Sequence, residues 1–261
     1  MPKRGARRAS TGRAVPVPPR PYRRAYTSAI PTLRTRDASP ASMSIAIVLY
    51  PGLTALDAIG PYEVLNSAPG LDIRFVWKQP GPVVTDHGGL TLGATHAFDE
   101  LPFPEVVLVP GSSANTGSAM RDPVLRGWLQ QAHTRTRFTT SVCSGALVLA
   151  AAGILRGHPA TTHWAVMDAL AKHGATPCPD QRVVRSDRII TAAGVSAGID
   201  MALTLLAELA GADTARAAQL AIEYDPRPPF DAGHASKADT PTRARAHADL
   251  MRRAATPRAW S

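Results

Sequence analysis

Cys143 stands between a strand-like segment, Phe138–Val142 (FTTSV), and a helix-like segment, Ala146–Gly153 (ALVLAAAG), with only the small residues Ser144 and Gly145 in between. A cysteine at a strand-to-helix turn has the pattern of a nucleophile elbow. Its side chain would project from the carboxyl end of a sheet, where open α/β folds bind their ligands. Free N–H groups and partial positive charge at the helix start would favour thiolate over thiol, giving the sulfur nucleophilic character near neutral pH. The competing reading is a buried small hydrophobe, because free cysteine is among the most buried residue types. Asp57 is the second candidate, an acid among Leu53, Ala55, Leu56, Ala58 and Ile59. It could cap the first helix or lie on its solvated face. Buried beside a thiolate, it would instead have its pKa raised by desolvation and like-charge repulsion, and could serve as a general acid.

Other candidates have less support. His163 lies 20 residues beyond Cys143, beside Trp164 at the start of a further helix, where capping or packing is the commoner role. The eight histidines form no HExxH pattern and no Cys/His cluster, so no metal site is expected. Gly111–Gly117 (GSSANTG) follows a strand but lacks the Gly-Lys-Ser/Thr ending of a phosphate loop, which leaves it as pocket lining. Cys178, between Pro177 and Pro179, reads as a loop residue without chemistry. Two cysteines 35 residues apart make no disulfide framework, and a reducing cytoplasm is the expected location.

The elements that must position Cys143 and Asp57 alternate between strand and helix. Ser44–Tyr50 is a β-branched strand stopped by Pro51-Gly52, followed by a helix through Leu56, Ile59, Tyr62 and Leu65 that is entered or kinked at Gly60-Pro61. Asp72–Lys78 is a second strand, and Val83–Leu92 reads as a hairpin on the sheet's edge around Gly88-Gly89. Val106–Val109 (VVLV) suits a strand buried on both faces of a parallel sheet. A surface helix over 121–133, a strand over 137–142 and a small-residue helix over 144–152 follow. Further helices are expected over 162–172, 198–210 and 213–223, with a strand at 188–192; the helix over 198–210 is apolar on most sides and so deeply buried. This rhythm predicts a single α/β domain over 43–225 with a mostly parallel sheet flanked by helices on both faces. Residues 226–261 comprise a proline-rich arm and a short helix over 240–255.

Composition narrows the partners. The 261 residues carry a formal charge of +9, which suggests nucleic acid until the charge is located. Ten Lys or Arg and one acid fall in residues 1–42, whereas 43–261 hold 19 basic and 19 acidic side chains. The basic signal belongs to a leader with seven prolines and no apolar period, expected to be disordered and to bind no specific nucleic acid. It lacks the apolar core of a secretory signal, and Met43, directly before the first strand, is the expected native start. No apolar run reaches the roughly 18 residues of a membrane span.

Several of these segments resemble a known family. Thr140–Ala146 (TSVCSGA), continuing through Ala151-Ala152-Gly153 to Ala160–Trp164 (ATTHW), is similar to the elbow region of the ThiJ/PfpI branch of the class I glutamine amidotransferase-like superfamily, and within it to isocyanide hydratases. Trp77–Val84, Leu56–Val64 and Glu223–Gly233 carry the same likeness. The resemblance covers about 43–233 and implies a flavodoxin-like sheet. It places the nucleophile at Cys143 and the carboxylate facing it at Asp57. It implies an oxyanion-type pocket from the N–H groups of Ser144 and of the loop after Pro110-Gly111, with Gly111, Ser112 and Gly145 beside the substrate. The chain departs from the hydratase pattern in having Ser144 where threonine is usual and Ser112 as the second residue of a Gly-Gly pair. The implied chemistry is hydration of a small isocyanide to an N-formamide. Cys143 forms a thioimidate, Asp57 supplies a proton and then activates water, and no cofactor or metal takes part. The resemblance also implies a homodimer. Two alternatives stay open. One is a sensor domain like those of arabinose-operon-type regulators, without their DNA-binding region, since only 31 residues follow Phe230. The other is a stress-related glyoxalase- or deglycase-like cysteine enzyme.

Overall fold

A computed structural model describes residues 42–255, so the expected disorder of the basic leader concerns residues outside the described ones. The first apolar segment forms β1 (Met43–Val48), in which Ile45 through Val48 are fully buried. Helix α1 (Ala55–Leu65) follows and contains Pro61, and β2 (Leu71–Trp77) returns parallel to β1. The hairpin expected around Gly88-Gly89 exists as β3 (Gly81–Val84) and β4 (Thr91–Ala94). It pairs only with itself, as a separate two-stranded sheet. After β5 (His96–Ala97) comes β6 (Val106–Val109), buried throughout.

The helix expected over 121–133 is α3 (Pro123–His133), and a further short helix, α2 (Thr116–Arg121), precedes it. Asp122 Oδ1 accepts the N–H groups of Val124 at 3.0 Å and Leu125 at 3.2 Å. That cap, with Pro123 in the first turn, starts α3 afresh. Strand β7 (Phe138–Ser141) leads into α4 (Gly145–Ala151), which is closed by Gly153 at φ +81°. Two short strands, β8 (Pro159–Ala160) and β9 (Thr176–Pro177), flank α5 (Met167–Lys172). The helix expected from residue 162 therefore begins only after a 3₁₀ turn at Trp164–Val166. Strand β10 (Val183–Ser186) has no counterpart in the sequence reading, and β11 (Ile189–Ala192) pairs with it antiparallel. Helices α6 (Ala197–Ala210), α7 (Ala212–Ala221) and α8 (Thr240–Ala255) complete the chain.

The seven-stranded sheet has the order β10-β11-β7-β6-β1-β2-β5 and is parallel except at β10. Its strand order reverses at β1, which has β2 on one side and β6 on the other. Loops leaving the carboxyl ends of β1 and β6 therefore diverge and leave a crevice, the usual ligand position in an open parallel sheet. The flanking helices fall into two packed groups, α1 with α6 and α7, and α2 through α5. Helix α6 buries Met201, Ala202, Leu205 and Leu206, while Leu203 and Leu209 are only partly covered, so its burial is one-sided. Helix α8 has no buried residue.

Candidate active site

Cys143 sits at the end of β7 with φ +57°, a conformation that non-glycine residues adopt at an energetic cost of about 1–3 kcal/mol. The surrounding backbone holds it there. Its N–H donates to Ala193 O at 2.9 Å and Ala192 O at 3.2 Å, at the end of β11, and its carbonyl accepts the Thr162 hydroxyl at 2.8 Å. Two glycines allow the elbow to fit. A Cβ on Gly145 would lie 2.1 Å from Val109 O, and one on Gly111 would lie 2.6 Å from Ser144 N, so neither position has room for a side chain.

Asp57 is 0% exposed and sits in the first turn of α1 without capping it, which removes both the cap and the solvated-face readings. Its Oδ2 accepts the Gly111 N–H at 2.8 Å. The Cys143 thiol faces the carboxylate and favours its charged form, while Oδ1 makes no hydrogen bond among the described residues. Burial, reinforced by the charge of Asp86, raises the Asp57 pKa to about 7 against the pull of the Gly111 N–H and of the nearby thiol. Burial also pushes the Cys143 thiol well above its ordinary value, and the Asp57 charge adds to this. The amides of Val195 and Ser144 and the Ser144 hydroxyl pull the other way without reversing it. Burial and the neighbouring carboxyl thus favour the thiol, opposing the pull toward thiolate exerted by the amides at the helix start.

A cavity of about 290 Å³ opens over the sulfur. Its floor includes Cys143, Ser144, Ser112, Ser113 and Val195, and Ala165, Val166 and His163 form a side. Ser144 Oγ lies 2.7 Å from Thr116 Oγ1 and accepts the Ser112 N–H at 3.0 Å. Ser112 Oγ donates to Gly52 O at 2.5 Å and accepts from Asn115 N at 2.7 Å, so its side chain organises the loop after β6. Ser112, expected beside the substrate, and Ser144, expected in the oxyanion-type pocket, both reach the cavity. Gly111 and Gly145 do not line it and act as spacers behind the elbow. The expected oxyanion donors also change. The Gly111 N–H is taken by Asp57 and that of Ser112 by Ser144, so the amides acting on the sulfur are those of Ser144 and Val195.

His163 both caps and lines. Its Nδ1 accepts the Ala165 N–H at 3.3 Å, its ring packs against Gly194, and burial lowers its pKa so that it stays neutral. Cys178 is a half-buried free thiol that does not line this cavity. Sequence reasoning missed two parts of the site. One is Asp86, delivered by the β3–β4 hairpin, for which an acid beside Gly88-Gly89 is only a faint signal. The other is α8, whose His247, Leu250, Met251, Arg253 and Ala254 form the opposite wall. Among the described residues, no group of three His, Cys, Asp or Glu could hold a metal, and no helix is long and apolar enough to cross a membrane.

A mostly parallel sheet in which an inner strand, β7, delivers a strained cysteine into a ligand crevice defines the α/β proteins with a cysteine elbow. The chain belongs to the DJ-1/PfpI family, whose family model matches residues 43–208. It is 46% identical over 192 residues to an isonitrile hydratase of Pseudomonas putida, a match that spans 74% of this chain and 83% of the relative. The crystal structure of a ThiJ/PfpI family protein from Pseudomonas syringae superimposes with a TM-score of 0.77 at 37% identity, covering 86% of this chain and 97% of the other. The HTH-type transcriptional regulator GbdR of Pseudomonas aeruginosa is 26% identical over 70% of this chain but only 51% of its own length.

Proposed function

We propose that this chain hydrates isocyanides to N-formamides through a covalent adduct on Cys143. The observation that carries this reading is the Cys143–Asp57 pair, with a buried carboxyl held by Gly111 against a thiol that opens onto the cavity. Near neutral pH Asp57 is divided between its two protonation states, as a group must be to take and return a proton in one cycle. The ionised form takes the thiol proton as the sulfur attacks the terminal carbon of R–NC. It then returns that proton to the same carbon, giving the thioimidate R–N=CH–S–Cys143. The carbon of an isocyanide carries a lone pair, so both sulfur and proton can add to it. The Ser144 and Val195 amides steady the charge on sulfur during the attack. Water then adds to the carbon, the C–S bond breaks, and the formamide leaves. Every step uses groups of this chain, and none calls for a metal or an organic cofactor.

The sensor reading draws on the likeness to GbdR, but the hydratase is much the more similar relative. Incubation with phenyl isocyanide tests the proposal. N-phenylformamide should form at a rate proportional to enzyme concentration, and its absence would exclude the hydratase reading. We further infer a homodimer in a reducing cytoplasm, consistent with the free thiols and with the exposed Leu220, Phe230 and Met251 near the carboxyl end. Light scattering should give twice the 27.6 kDa chain mass, and a value near one chain in active material would contradict the dimer.

A further inference from the structure

The water that releases the formamide needs a base, and Asp57 is badly placed to be one. Its side chain is completely inaccessible and does not line the cavity, so the reacting atoms it can reach are the sulfur and the carbon bonded to it. A different carboxylate faces the space where water must arrive. Asp86 is the one acid lining the cavity among the described residues, and it is 4% exposed.

Two segments of the crevice, the one before α1 and the loop after β6, hold Asp86 in place. Its Oδ2 accepts the Thr54 hydroxyl at 2.6 Å and the Ser113 hydroxyl at 2.7 Å, with the Ser113 N–H at 3.4 Å. Its own N–H donates to Leu53 O at 2.9 Å. Thr54 is the N-cap residue of α1, yet its hydroxyl makes no cap bond because it is directed to Asp86. A helix start that gives up its usual side-chain cap to orient a carboxylate is a locally unfavourable choice with a geometric result. Thr54 and Ser113 line the same cavity as Cys143, so the oriented carboxylate and the sulfur share one space.

The imidazoles of the cavity are weaker candidates. His163 already uses Nδ1 as an acceptor, which leaves Nε2 carrying the proton as a donor. His87 is exposed and serves Asp86 as a partner, its Nε2 lying 3.7 Å from Oδ1, and His247 is exposed with no hydroxyl to orient it. We propose that Asp86 is the general base of the hydrolytic half-reaction, a role that rests on the hydratase reading. Asp86 takes one proton from water as its oxygen adds to the thioimidate carbon, and the C=N electron pair moves to nitrogen, which receives that proton. The resulting R–NH–CH(OH)–S–Cys143 collapses as the C–S pair returns to sulfur. The hydroxyl proton restores the thiol, leaving R–NH–CHO. Asp57 and Asp86 thus divide the reaction, one serving attack and the other release.

Quenched-flow reaction of the full chain with p-nitrophenyl isocyanide, read by intact mass and by formamide release, separates the two roles. Asp86→Asn should attach one isocyanide to Cys143 at nearly the wild-type rate while release falls about 100-fold or more, so that the adduct accumulates. Asp57→Asn should instead fail to form the adduct. Wild-type release without accumulation in Asp86→Asn would overturn the assignment, as would equal loss of both steps in a variant with native melting temperature. If Asp86→Asn does not fold, Thr54→Val and Ser113→Ala keep the carboxylate but loosen its aim. Slower release with unchanged attachment supports the role, and unchanged release in both overturns it. If the wild type makes no formamide, the hydratase reading itself fails, which is a different result from an unimpaired Asp86→Asn enzyme.

Discussion

The two walls of the cavity are built on opposite principles. The floor, formed by the ends of β6, β7 and β11 with α4, is buried almost everywhere. It fixes Cys143 at a positive φ and leaves no room for a side chain at Gly111 or Gly145. The opposite wall, α8, has no buried residue, and its Met251 is 57% exposed although it faces the same space. Chemistry that depends on a proton passing between two atoms needs the rigid floor. A wall that only shapes the space around a substrate's body can be loosely held, and substitutions there should change selectivity more than stability.

The largest expected effect is at the floor. Asp57→Asn keeps the shape and the Gly111 contact but cannot move a proton, so turnover should drop about 100-fold or more in steady-state assays. The same variant should change how stability depends on pH. An acid with a folded pKa of about 7 binds a proton more tightly when folded than when unfolded at 3.8, so the wild type loses stability as pH rises between those values. That loss is on the order of 4 kcal/mol over the whole range, of which roughly 2–3 kcal/mol falls between pH 5 and pH 8, where urea unfolding should show it in the wild type and not in the asparagine variant. Gly145→Ala comes next. Its Cβ would collide with Val109 O, so α4 must shift off β6 at a cost of about 3 kcal/mol, visible as a lowered melting temperature. At the other wall, Met251→Ala should leave stability within about 0.5 kcal/mol while raising KM for bulky isocyanides more than for small ones. Equal effects of Gly145→Ala and Met251→Ala on stability would erase the contrast between the walls. The smallest effect is expected from a chain that begins at Met43, whose activity and melting temperature should match those of the full chain.

What the sequence revealed follows the same division. The floor was legible because its signals are local. VVLV at 106–109 is too apolar to be anything but a doubly buried strand, and small residues after Cys143 announce a tight strand-to-helix turn. Even α8 was bounded correctly, at 240–255, by its proline and helical spacing. Its place over Cys143 was not readable, because a weakly apolar helix gives no sign of what it covers. Asp86 escaped for a related reason, since its hydroxyl partners Thr54 and Ser113 lie 32 and 27 residues away and meet it only in the fold. The Val195 amide and the raised thiol of Cys143 likewise depend on burial that local pattern does not encode. Strand β10 hides because a four-residue edge strand carrying Arg185 has little apolar period to detect.

The most direct test compares wild type with Cys143→Ala on p-nitrophenyl isocyanide at equal concentration, with matching melting temperatures as the check on folding. The sulfur is the only heavy atom of the protein that bonds to the substrate carbon in this scheme. Formamide production should therefore be rapid in the wild type and fall to the rate of buffer alone in the variant. Comparable production by the two proteins would contradict a covalent role for Cys143 and, with it, the division of labour between Asp57 and Asp86.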